Sequence, residues 1–229
     1  MTRTLSTKIK ACVFDAYGTL FDVNAAAREE QAALGVKWAA VSETWRLKQL
    51  QYSWLRSLQE RHADFWQVTG DALDFALESA GIDDADLRDR LMALYLKLSA
   101  YPDTKPMLER LKAGGIKCAI LSNGSPDMLS AAVENAGIGS LLDGVLSIEE
   151  VGIYKPAPEV YQLAVDRLGV SPSEISFQSS NGWDAYAAKA FGFQVIWCNR
   201  FGQPPERMPG TPDTEITTLA DLPAMIGVA

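Results

Sequence analysis

Short apolar runs rich in β-branched residues recur along the chain at IKACVFD (9–15), IKCAILS (116–122), ISFQS (175–179) and FQVIWC (193–198), and most are followed by a helical pattern. A strand that is apolar throughout must be covered on both faces, and helices between successive strands supply that cover. The expected fold is therefore α/β, a Rossmann-like, doubly wound, mostly parallel sheet. Each of the first three runs ends in small polar or acidic residues: Asp15, then Ser122 and Asn123, then Ser179, Ser180 and Asn181. In open α/β sheets ligands bind outside the carboxyl ends of the strands, so these endings converge on one crevice although they lie far apart in sequence.

Between the first and second runs, residues 21–99 carry no strand signal and a strong helical period. Trp38, Val41 and Trp45, and then Leu50, Trp54, Leu55 and Leu58, fall on apolar faces at three- and four-residue spacing. Helices also fit 64–79, ended by Gly81, and 84–98. The reading is a helical cap domain (21–99) inserted into a core domain made of 1–20 and 100–229. Tyr101-Pro102-Asp103 brings the chain back, with Asp103 as the expected N-cap of a helix over 104–113, and Gly202–Pro212 reads as a loop.

A chain of 229 residues buries a substantial core without staples. Cys12, Cys118 and Cys198 each sit inside an apolar run without metal-ligand spacing, which reads as buried free thiols. A net charge of -8 and the lack of clustered Lys and Arg argue against a nucleic-acid partner. No apolar run reaches the roughly 18 residues that span a bilayer, and MTRTLSTKIK leads into the first strand without a signal-peptide hydrophobic stretch. The expected location is cytoplasmic, with no membrane partner. His62 is the only histidine, so a histidine triad or multi-histidine metal site is ruled out, and it reads as a cap-helix terminus.

The segment VFDAYGTLFD is a strand ending in an acid, followed by a turn with Gly18 and the hydroxyl of Thr19. A carboxylate is an adequate nucleophile once ionised, desolvated and fixed in line with an electrophilic carbon. Arg46 shares a helix face with Gln49, Leu50 and Ser53 and has two open readings: a solvated arginine, or a cation turned toward an anionic substrate or leaving group. Gln178 interrupts an otherwise apolar strand where an aliphatic residue is expected.

The run F-D-A-Y-G-T-L-F-D (14–22) resembles the nucleophile motif of the haloacid dehalogenase-like superfamily. The resemblance continues in order through L-S-N-G (121–124), Y-K-P (154–156) and S-S-N-G-W-D (179–184). Phosphatases of that superfamily have a second acid where this chain has Tyr17, and a further metal-binding acid where it has Ser180. A hard divalent cation wants several oxygen ligands, preferably charged. Halide departing from carbon needs neither metal nor leaving-group protonation, and the chain resembles the L-2-haloacid dehalogenase branch. The cap segments T-W-R-L-K-Q-L-Q-Y-S-W-L-R (44–56) and D-F-W-Q-V-T (64–69) are similar to that branch specifically.

The resemblance implies hydrolysis of short-chain L-2-haloacids to D-2-hydroxy acids, through attack of Asp15 on C2 and an ester that water then hydrolyses, with no cofactor and no metal. Lys155 would pair with Asp15, while Thr19, Ser179, Asn181 and Asp184 organise both and the hydrolytic water. Arg46, Ser122, Asn123 and Tyr161, with Ala16 and Tyr17 beside the nucleophile, would receive the substrate carboxylate or halide, and Leu50, Phe65 and Trp183 would wall the pocket. A homodimer is implied as well. Two other readings stay open: a magnesium-dependent phosphatase of small phosphate esters, and a non-catalytic binding protein on the same scaffold.

Overall fold

The structure, a computed structural model, describes residues 8–23 and 30–228; residues 1–7, where the reading of the chain start falls, and 24–29 within the insertion lie outside the described residues. Six strands form one sheet: β1 (Ala11–Phe14), β2 (Lys117–Ser122), β3 (Gly144–Ser147), β4 (Ile175–Ser179), β5 (Gln194–Cys198) and β6 (Thr214–Ile216). Every pairing is parallel, in the order β3-β2-β1-β4-β5-β6. The strand order reverses at β1, whose neighbours are β2 and β4, so the crevice expected at a topological switch point opens over the end of β1. All four residues of β1 are buried, as a central strand covered on both faces requires. Cys12, Cys118 and Cys198 are free and buried, and burial raises the thiols of Cys118 and Cys198 to about 12 and about 11.

The insertion is helical, with α1 (Trp38–Leu58), α2 (Phe65–Ser79) and α3 (Ala85–Leu94). Asp64 and Asp84 cap α2 and α3 by accepting from the Gln67 and Leu87 amides. The expected helix over 84–98 ends at Leu94, where Tyr95, Leu96 and Lys97 tighten into bonds with the carbonyls three residues back. The buried seam of α1 is Val41, Trp45, Gln49 and Ser53, whereas the apolar stripe expected at Leu50, Trp54, Leu55 and Leu58 is half-buried or exposed. Polar residues are tolerated in the seam because all of them are bonded. Gln49 donates to Thr69 Oγ1 (2.8 Å), Ser53 to the Gln49 carbonyl (2.9 Å), and the Trp45 indole to the Thr69 carbonyl (2.9 Å).

The remaining helices cover the sheet: α4 (Thr104–Ala113), α5 (Pro126–Ala136), α6 (Pro158–Leu168) and α7 (Gly182–Phe191). α4 falls where expected, but Asp103 does not cap it. Its carboxylate instead accepts from Arg200, from Thr218 Oγ1 (2.6 Å) and from the Leu219 amide (2.8 Å), partners distant in sequence that outcompete a local cap. Gln178 is buried; its side-chain amide donates to Ser176 Oγ at 2.6 Å, a local bond within β4.

Candidate active site

The peptide after β1 continues the sheet for one more bond, Asp15 N–H to the Gln178 carbonyl (2.9 Å), and then turns sharply. The Ala16 carbonyl gathers the amides of Leu20 (2.9 Å) and Phe21 (3.1 Å), and Gly18 adopts φ +82°, a conformation that side chains with a Cβ resist. This turn puts Asp15 at the carboxyl end of the central strand, only 6% exposed, between the ends of β2 and β4.

Its two oxygens have unequal surroundings. Among the described residues Oδ1 accepts one bond, from Lys155 Nζ at 3.2 Å. Oδ2 accepts from Asn181 Nδ2 (2.8 Å), Thr19 Oγ1 (3.2 Å) and Ser179 Oγ (3.3 Å). These donors are themselves fixed: Thr19 Oγ1 accepts from the Ser180 amide (2.8 Å), and Ser179 Oγ from the Asn181 amide (3.1 Å).

Lys155 is 1% exposed and bridges two carboxylates, with Asp184 Oδ2 at 2.8 Å. Burial works against its charge, but Asp15 and Asp184 outweigh it and push the ammonium above its ordinary range. Asp184 is fully buried in the first turn of α7; desolvation raises its carboxyl against the pull of Lys155, and Asp15 adds to the rise. Asp184 Oδ1 accepts from Tyr161 OH at 2.8 Å, and the Tyr161 ring lies against Phe177, Phe191 and Phe193. Tyr161 therefore reaches the site through Asp184, to which its hydroxyl donates.

Arg46 arrives from α1. It donates to Gln49 Oε1 (2.8 Å) and to Asn181 Oδ1 (3.0 Å), so one asparagine joins Arg46 to Asp15. Both partners are neutral amides and leave its charge uncompensated by them. A cavity of about 240 Å³ opens here, lined by Tyr17, Trp45, Arg46, Tyr95, Asn181 and Phe201 among others. The Tyr17 ring packs against Phe65 (6.2 Å, stacked) and edge-on to Tyr95 (5.8 Å), and its hydroxyl is buried without a hydrogen-bond partner among the described residues.

The expected walls and the expected anion cradle separate. Phe65 lies behind Tyr17, Leu50 is half-buried on α1, and Trp183 lines a different apolar groove, edge-on to Trp54 at 5.5 Å. None of these three lines the Arg46 cavity, nor do Ser122 and Asn123. Ser122 Oγ accepts from the Gly124 amide (3.1 Å) and Asn123 Oδ1 from the Lys155 amide (3.0 Å), so neither caps α5, whose N-cap is Ser125.

Three residues that sequence reasoning missed complete the arrangement. Gln49 holds Arg46, the Trp54 indole donates to the Lys155 carbonyl (3.1 Å), and Arg200 binds the Thr19 carbonyl. Arg200 follows β5, the fourth apolar run of the sequence, so a search of that run's end, as of the first three, would have found it. His62, in the turn between α1 and α2, pairs with Glu149 at 2.8 Å and adds another link between inserted helices and core.

The residues present do not fit a hard divalent cation. The two available carboxylates, Asp15 and Asp184, share the Lys155 ammonium, and among the described residues no group of three His, Cys, Asp or Glu side chains is placed to hold a metal ion.

A family model described as haloacid dehalogenase-like hydrolase matches residues 9–192. The chain belongs to this family. Its relatives include (S)-2-haloacid dehalogenase 1 of Pseudomonas sp. strain CBS-3, 48% identical over 219 residues and covering 95% of this chain and 96% of the relative. The (S)-2-haloacid dehalogenase 4A of Burkholderia cepacia is 47% identical over 215 residues, 93% of each chain. Among solved structures, the L-2-haloacid dehalogenase from Xanthobacter autotrophicus with chloropropionic acid covalently bound superposes with a TM-score of 0.89, at 39% identity, over 96% of this chain and 100% of that one. As a haloacid dehalogenase-like hydrolase, the chain pairs the parallel core with helices inserted after β1.

Proposed function

We propose that this chain hydrolyses short-chain L-2-haloacids to D-2-hydroxy acids and halide, with Asp15 as covalent nucleophile and without a metal. The observation that carries the reading is the unequal hydrogen bonding of Asp15: among the described residues Oδ1 has one partner and keeps electron density for bond formation, while Oδ2 accepts from three donors.

In the first step Oδ1 bonds to C2 as the carbon–halogen bond breaks, the halide leaves with the bonding pair, and C2 inverts. Lys155, kept charged by Asp15 and Asp184, holds Asp15 aligned. Arg46, which lines the cavity with Tyr17 and Asn181, receives the halide or the substrate carboxylate. In the second step water attacks the Asp15 carboxyl carbon. The oxyanion that develops on Oδ2 already has Thr19, Ser179 and Asn181 aimed at it, an oxyanion hole built around the nucleophile itself. Cleavage of the bond from that carbon to Oδ1 releases the hydroxy acid; one water proton ends on its hydroxyl and the other goes to solvent.

The segment 21–99 acts as a cap over a core of 1–20 and 100–229, supported by its hydrogen bonds to Asn181 and to the Lys155 carbonyl. Leu47, Leu55 and Leu58 on α1 stay exposed, which supports a homodimer through that helix; a cytoplasmic location agrees with the absence of any membrane-spanning helix among the described residues. The test is incubation of chelator-treated protein with L-2-chloropropionate. Stoichiometric chloride and the D-hydroxy acid are expected. No halide from chloro, bromo or fluoro substrates, together with magnesium-dependent hydrolysis of a phosphate ester, overturns the proposal.

A further inference from the structure

The end of β5 delivers a cation to the nucleophile loop that the chemistry above does not use. Arg200 donates from Nε (3.2 Å) and Nη2 (3.0 Å) to the Thr19 carbonyl, while Nη1 and Nη2 reach the two oxygens of Asp103 at 2.9 Å each. The guanidinium lies 4.1 Å from the centre of the Tyr101 ring, a distance at which a cation is attracted to the aromatic face. Only 10% of the Arg200 side chain is exposed. Burial pushes the Asp103 carboxyl up, but hydrogen bonds from Arg200 and Thr218 more than reverse this and leave it below its ordinary range, so it stays charged opposite Arg200.

Thr19 is the residue whose hydroxyl donates to Asp15 Oδ2 and accepts from the Ser180 amide. Its carbonyl is held by Arg200, and its side chain by the ends of β1 and β4. The same fork reaches, through Asp103, the crossing where the chain returns from the inserted helices, a crossing also tied down by the Tyr101 amide and Thr104 Oγ1, which both donate to the Leu20 carbonyl (2.9 and 3.0 Å). The next residue, Phe201, lies over Gly18 and lines the cavity. A planar guanidinium serves two acceptors at fixed angles, whereas an ammonium is a point charge that cannot reproduce the fork.

We propose that Arg200, oriented by Asp103 and Tyr101, is a positioning residue that fixes Thr19 and so keeps the Asp15 carboxylate in its reactive orientation. It touches neither substrate nor Asp15; its effect passes through Thr19. This role rests on the reading of Asp15 as nucleophile given above.

The experiment compares wild type with Arg200→Lys and Asp103→Asn by halide release, thermal melting and hydrogen exchange. A misplacement of about 1 Å costs on the order of 10² in rate. Arg200→Lys, which keeps the charge beside Asp103, should melt close to wild type, lose roughly ten- to a hundredfold in kcat by that principle with little change in KM, and show faster exchange confined to residues 15–21. Asp103→Asn should shift in the same direction. A kcat for Arg200→Lys within about twofold of wild type, or losses that track melting temperature with exchange rising across the whole sheet, overturns the positioning role alone. Wild-type protein that releases no halide overturns the proposed function and this role with it.

Discussion

A carboxylate with an ammonium on one oxygen and three neutral donors on the other is polarised before any substrate arrives, and the two steps of the reaction draw on different donors. Asn181 makes the shortest of the three bonds to Asp15 Oδ2, at 2.8 Å, so its loss removes a donor to the oxyanion of the second step. Asn181→Ala should lower kcat by about 10²–10³, the cost of one oxyanion donor, and should let the ester accumulate. Intact-protein mass spectrometry during turnover checks this: an adduct mass on the variant supports the assignment, and its absence alongside slow turnover places the defect in the first step. Lys155 makes a second residue-level test. Its ionised form is favoured by folding, because its value is raised above the ordinary 10.5. The stability it contributes is therefore fully present below pH 10.5 and is lost as pH rises through the higher folded value. Lys155→Met leaves two buried carboxylates without their counter-charge, a change that costs on the order of 3–5 kcal/mol. Melting curves at neutral pH should show that loss, and the variant should decline less steeply than wild type at alkaline pH, where the buried tyrosines and cysteines still contribute.

At the scale of elements, the site depends on close approach of the turns that follow β1 and β2. A Cβ on Gly124 would lie 2.8 Å from the Tyr17 ring, so the glycine makes room for the side chain two residues after Asp15. Gly124→Ala should destabilise by about 1–3 kcal/mol through overpacking and reduce activity by shifting Tyr17; an unchanged denaturant midpoint contradicts this packing. The same elements show what sequence could reveal. Asp15, Ser179 and Asn181 were legible because buried central strands read as continuous apolar runs that announce their own ends, whereas β3 and β6 lie at the two edges of the sheet, are partly exposed and show no such run. The seam of α1 was misread because periodicity counts apolar residues, and the structure buries Gln49 and Ser53 there by satisfying their hydrogen bonds. Asp103 looked like a cap because its true partner, Arg200, is 97 residues away.

Across the whole molecule, nucleophile, ammonium and oxyanion donors come from β1, the loop before α6 and the end of β4, and the inserted helices add Arg46. That convergence follows from the strand order reversing at β1, which the run of strands and helices foretold in kind but not in order. Lys155 and Asp184 were reachable only through resemblance, since neither a lysine in a loop nor an acid in a helix's first turn signals burial. The central claim is that Asp15, rather than water, attacks the substrate. Single-turnover reaction in heavy-oxygen water, with excess protein over L-2-chloropropionate, tests it most directly. The label should appear in the Asp15 carboxylate, with the product hydroxyl carrying ordinary oxygen; label in the product and none in Asp15 would contradict the account.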